Sequence, residues 1–134
     1  MKYEIGNMGE DKRTLKSFQQ LNVWQESRKL FFLVFKATAK FPNEEKYSTA
    51  NQMRRASMSI SSNIAEGFGR STTADKTHFY VMARGSLTEL QNQVILTKDV
   101  SLLTDKDASV LLIQAEITHK LIVGLIKATE RRKL

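Results

Sequence analysis

The chain is 134 residues long, enough for one domain around one core, and 41% hydrophobic with 26% charged residues is ordinary for a soluble globular protein. It has no cysteine, which excludes a disulfide framework and a thiolate metal site and makes the reducing cytoplasm the expected location. A net charge of +7 points to a polyanionic partner, because Lys and Arg contacts to phosphates release counterions.

One proline and six glycines are too few turn-formers for a sheet protein, so long helices are expected. The reading finds no signal peptide and no apolar run near the ~18 residues of a membrane span, so no membrane partner is expected. Residues 1–20 hold no sustained period and read as a loose arm, with a short ordered piece around Leu15 and Phe18. Residues 21–134 should form the bundle.

The first helix is predicted from Asn22 to about Lys40. Asn22 is its expected cap, with Gln25 as the reciprocal partner. Val23, Leu30, Phe31, Val34, Phe35 and Ala37 cluster on one side, and Phe41-Pro42 ends the helix.

The second helix is predicted over about 48–66, with Thr49 and Gln52 as a capping box. Ser57, Ser59 and Ser61 alternate with apolar residues like a strand over six positions. Over sixteen positions, however, Met53, Ala56, Ile60 and Ile64 recur at steps of three and four, and the longer window favours a helix. Ala50, Ser57, Ser61 and Ala65 make a small-residue side suited to close helix approach. Gly67 and Gly69 are expected to end the helix by supplying a left-handed residue.

The third helix is predicted over about 73–98, capped by Thr72 with Asp75 three residues on. Phe79, Ala83, Ser86, Leu90 and Thr97 form its apolar spacing, with Leu87 and Val94 beside it. Gly85 inside it costs about 1 kcal/mol against alanine, which close helix contact would justify.

The fourth helix is predicted over about 105–131, capped by Thr104 with Asp107. Its apolar side chains cover most of the circumference between Val110 and Ala128, leaving Glu116, Lys120 and Lys127 on a narrow arc. Such a helix is buried on more than one side. The excess is therefore expected to pack against another subunit, with cover by the N-terminal arm as the alternative. Four such helices with short connections predict an all-α, antiparallel up-down-up-down four-helix bundle.

The candidate chemistry is sparse. Gly67-Phe68-Gly69 follows a helix and precedes Arg70-Ser71, so it lacks both the strand and the Lys-Ser/Thr of a phosphate loop. A cap explains it better, although the start of the third helix with Arg70 nearby could hold an anion. Glu116-x-x-His119 and Asp75-x-x-His78 resemble half of a di-iron bundle site. Asp75 is explained by capping, and the two pairs should sit at different heights. No metal, no cofactor and no catalytic residue is expected, and enzyme function is not.

Basic faces carry more weight. Lys29, Lys36 and Lys40 share one side of the first helix. Lys120, Lys127 and Arg131 repeat the same i, i+7, i+11 spacing on the fourth, and Arg132 and Lys133 extend the charge. Two matched stripes point to sequence-tolerant binding of RNA or DNA through phosphates. Aromatic platforms for single strands are poorly represented, since most aromatics fall on core faces. The alternative is a protein-interaction scaffold or accessory subunit without nucleic-acid binding.

The segments Val23-Trp24-Gln25, Phe41-Pro42, Gln52-x-Arg54-Arg55, Ser59-Ile60, Asn63-Ile64-Ala65-Glu66-Gly67 and Arg84-Gly85-Ser86 with Glu89-Leu90 carry a resemblance. Over roughly residues 21–103 the chain resembles the four-helix-bundle proteins encoded by intervening sequences in bacterial 23S ribosomal RNA genes. It departs in having Ser61-Ser62 where many members carry a proline. The resemblance implies a left-turning bundle that assembles into a homopentamer. More distantly the chain looks related to accessory bundle proteins of diversity-generating retroelements, which implies a nucleic acid and a reverse transcriptase as partners. Among the motif residues, Arg54, Arg55, Asn63, Glu66, Arg84 and Glu89 are expected to form a polar network between neighbouring helices or subunits, since buried charges need partners. Its expected role is structural first and ligand-facing second, so alanine at Arg55 or Glu89 should disrupt assembly before binding.

Overall fold

A computed structural model describes residues 17–132. Four long helices form an antiparallel bundle: α1 Asn22–Thr38, α2 Asn51–Phe68, α3 Thr73–Asp99 and α4 Asp105–Arg131. Each packs along the next, and α4 closes the ring against α1. Apolar residues at steps of three and four build the core: Leu30 and Val34 from α1, Met53, Ile60 and Ile64 from α2, Leu87 and Leu90 from α3, Leu111 and Ile122 from α4.

The predicted starts of α3 and α4 are observed. The Asp75 amide donates to Thr72 Oγ1 at 3.1 Å, and the Asp107 amide donates to Thr104 Oγ1 at 3.0 Å. The other two caps differ. Asn22 lies inside α1 and is not its cap; the capping position belongs to Leu21, which makes no side-chain bond. The chain is already turning before Asn22, because Ser17 and Gln20 form a reciprocal box around the 3-10 turn Phe18–Gln20. Gln25 serves that turn by donating from Nε2 to the Gln19 carbonyl at 2.9 Å. The ordered piece expected near Phe18 is this turn, with Phe18 edge-on to Trp24 at 5.3 Å between ring centroids; Leu15 lies outside the described residues.

Helical backbone also begins earlier than predicted ahead of α2. Residues Asn43–Glu45 form one turn, Lys46–Ala50 a wider turn, and the chain runs on into α2. Thr49 therefore has no free helix end to cap, and its hydroxyl donates to Glu45 Oε1 at 2.9 Å instead.

Neither Gly67 nor Gly69 is left-handed, because no described glycine has positive φ. Gly67 is a helical residue whose role is space: a Cβ there would lie 2.5 Å from Tyr80 Cε1. Tyr80 is buried, so it cannot swing away. Left-handed backbone occurs instead at Ser101, with φ of 66°. There the Ser101 amide donates to the Lys98 carbonyl at 2.9 Å and the Leu102 amide to the Thr97 carbonyl at 2.8 Å. This pair of bonds closes the end of α3 as a Schellman motif.

The core predictions hold for α2 and need two changes elsewhere. Phe35 points outward rather than inward, and Tyr80 joins the core while Phe79 is only half-buried. Gly85 is exposed with nothing within 4 Å of a notional Cβ, so no contact within the chain explains it. Buried threonines satisfy themselves: Thr38, Thr118 and Thr129 each donate to the carbonyl four residues back.

Candidate nucleic-acid interface

The two basic stripes have the same spacing and different surroundings. On α1 and the turn after it, Lys29 Nζ lies 3.5 Å from Glu26 Oε1, and Lys40 Nζ lies 3.0 Å from Asp107 Oδ2 of α4. Glu26 is held in place from α4, where Gln114 Nε2 donates to its carboxylate at 2.7 Å and to its backbone carbonyl at 3.0 Å. Lys36 alone of the three makes no ion pair among the described residues.

On α4, Lys120, Lys127 and Arg131 are exposed, and none pairs with a carboxylate among the described residues. The outward side of this helix divides along its length. Val110, Ile113 and Ile117 are exposed in the first half; the second half presents the basic residues. The excess apolar surface expected for this helix is therefore present on one subunit. Whether residues 1–16 cover it, as in the alternative above, falls outside the described residues, as does Lys133.

Arg132 follows α4 and is close enough to act on two groups of α3. Burial lowers the affinity of Lys76 for its proton, and the Arg132 charge lowers it further. Burial pushes the Tyr80 hydroxyl up, while Arg132 pulls it the other way. Lys76 itself is committed to the fold, donating to the Phe68 carbonyl at 2.8 Å at the end of α2. Arg70 is also engaged, paired with Glu66 at 2.7 Å and stacked 4.6 Å from the Phe79 ring, so it is not held ready for an anion.

The six motif residues do not form one network within the chain. Arg54 joins α2 to α1: its Nε donates to Thr38 Oγ1 at 2.8 Å, and its guanidinium lies 3.8 Å from the Phe35 ring. Asn63 Nδ2 donates to the Ser59 carbonyl at 2.9 Å and approaches Ser59 Oγ, which meets Ser86 Oγ of α3 at 2.8 Å. Glu66 holds Arg70, and Glu89 accepts from Gln93 at 3.3 Å. Arg55 is exposed, and the Arg84 carbonyl accepts from the Thr88 hydroxyl. Sequence reasoning missed the serine pair and the Gln114–Glu26 link, because such pairings cross between elements. His78 is exposed and His119 half-buried, and no group of three or more potential metal ligands occurs among the described residues.

An aromatic groove between α1 and α2 was also missed. About 250 Å³ in volume, it is lined by Trp24, Arg28, Phe31, Phe32, Met58 and Ser61. Phe32 is 56% exposed, Phe35 47% and Met58 53%, so the aromatics do not all belong to the core. The i, i+4, i+8 row Trp24, Arg28, Phe32 was the available signal.

Comparison with solved structures agrees with the bundle. A protein of unknown function from the S23 ribosomal protein family of Bacteroides thetaiotaomicron VPI-5482 superposes with a TM-score of 0.73 at 21% identity, over 78% of this chain and 98% of that one. At that identity the likeness speaks for the fold alone. No curated protein matches the chain significantly. The family model for the 23S rRNA-intervening sequence protein matches residues 19–124. That match spans all of α1, α2 and α3 and most of α4, and the chain belongs to this family.

Proposed function

We propose that the protein is a non-enzymatic, self-associating bundle of the cytoplasm that binds RNA or DNA through phosphates. The observation that carries this reading is the row Lys120, Lys127 and Arg131 on α4, exposed and without carboxylate partners among the described residues, with Arg132 beyond it. A phosphate backbone is the polyanion that such a row fits, and it gives binding with little sequence preference.

Self-association is supported by the first half of the same helix. Val110, Ile113 and Ile117 lie about half exposed on one side, and covering the rest of each would contribute about 1 kcal/mol, roughly half the value of full burial. Copies joined there would set their basic halves side by side, and the pentamer implied by the resemblance is the expected number. By length and composition α4 also matches a membrane span, with mean hydropathy 1.5 over 18 residues. Its outward Glu116, Lys120 and Lys127 and its buried Gln114 and Thr118 favour a bundle helix.

Two measurements test this reading. Sedimentation should show an oligomer that Ile113→Asp converts to single copies. A mobility-shift titration should show binding that weakens steeply with salt. Absence of any shift at low salt would leave the scaffold reading, which the exposed apolar side chains also support.

A further inference from the structure

We propose that the groove between α1 and α2 is a stacking platform for single-stranded nucleic acid. This rests on the reading that the protein binds nucleic acid, and it narrows the ligand to strands whose bases are free.

Three observations converge on it. First, the rings are available: Phe32 lines the groove with Trp24 and Phe31 and is about half exposed, and Phe35, also about half exposed, lies beside it with its ring 5.8 Å from that of Phe31. Second, guanidinium groups are interleaved with them. Arg28 lies 5.8 Å from the Trp24 ring and 5.5 Å from the Phe32 ring, and Arg54 lies 3.8 Å from that of Phe35. Third, the face has no compensating charge. α1 carries no Asp or Glu after Glu26, and α2 carries none before Glu66. Arg28, Lys36, Arg54 and Arg55 form no ion pair among the described residues.

Charge decides the occupant. A two-fold contact would set these four cations against their own images, and in a ring of copies they would still face a chain of net charge +7, so a polyanion fits the groove better than a second copy does. The first half of α4, where Val110, Ile113 and Ile117 are exposed, is better suited to copies. A single strand supplies what the groove lacks, namely negative charge every nucleotide and flat apolar faces for the rings. A duplex hides those faces in its own stack.

Trp24 is the only tryptophan, so its emission reports directly on the groove. The full chain is titrated with a thymidine 15-mer, a duplex of equal length and an abasic phosphodiester strand of equal length. The expected result is quenching of Trp24 by the 15-mer alone. Phe32→Ala should weaken the 15-mer about fivefold, the low end for one lost stacking contact. Duplex affinity and thermal midpoint should stay unchanged, since Phe32 is outside the core. The platform is overturned, with the phosphate-binding reading intact, if all three probes bind alike without quenching and only charge reversal on α4 weakens them. It is equally overturned if Phe32→Ala lowers the sedimenting mass, which would make the groove a contact between copies. No binding by any probe at low salt overturns both readings.

Discussion

Lys29, Lys36 and Lys40 on one side, and Lys120, Lys127 and Arg131 on the other, are the same pattern placed in two environments. The first row meets carboxylates at two of its three positions: Glu26 one turn away, and Asp107 reaching across from α4. The second row meets none among the described residues. Identical spacing therefore does not mean identical availability. A lysine facing a carboxylate has its field largely cancelled nearby, and a phosphate must displace that partner before it gains anything. The difference concentrates the candidate interface on α4.

The most severe test of this contrast reverses charge on each row in turn. Lys127→Glu with Arg131→Glu should weaken duplex binding at low salt about a hundredfold and reduce the salt slope by about two, roughly one per lost phosphate contact. The same reversal at Lys29 and Lys40 should cost less than tenfold. Equal losses from the two pairs would show that the ion pairs do not matter. Anisotropy titrations at several salt concentrations measure both.

Next in size is Gly67→Ala. The end of the bundle that carries Arg132 depends on the close approach of α2 to Tyr80 of α3, and a methyl group has no room there. About 2 kcal/mol of stability should be lost in denaturant unfolding. Gly85→Ala should instead gain up to 1 kcal/mol, since its surroundings are open.

A smaller effect sharpens the comparison from the other direction. Asp107→Asn frees Lys40, and binding should strengthen two- to threefold. Stability should fall by less than about 1 kcal/mol, because the Lys40 half of the pair is largely in solvent. The smallest expected change is at Ser101. Ser101→Gly relieves a left-handed backbone that disfavours side chains, but it also loosens the unfolded chain. The net gain should be about 0.5 kcal/mol in the same unfolding assay.

The local signals were legible where the residues that decide them are neighbours. Thr72 with Asp75 and Thr104 with Asp107 each lie within one turn, and both caps formed. Asn22 and Thr49 carry the same kind of signal and did not cap: α1 takes the extended Leu21 as its capping position, one residue early, and helical backbone had already begun ahead of Thr49. Nothing in their own triplets records that. Phe31 and Phe35 fit the apolar side by spacing, yet Phe35 turned outward under Arg54, which is 19 residues further along the chain.

By itself the sequence determined the all-helical class, four helices, most of the core and the family resemblance, because a 3.6-residue period and a cap within one turn are local properties. Only the tertiary structure decided which lysines are neutralised, which aromatics face water, and that Ser101, rather than a glycine, adopts the left-handed backbone. Those outcomes depend on which groups meet across the bundle: Lys40 reaches Asp107 67 residues away, and Gln114 reaches Glu26 across 88.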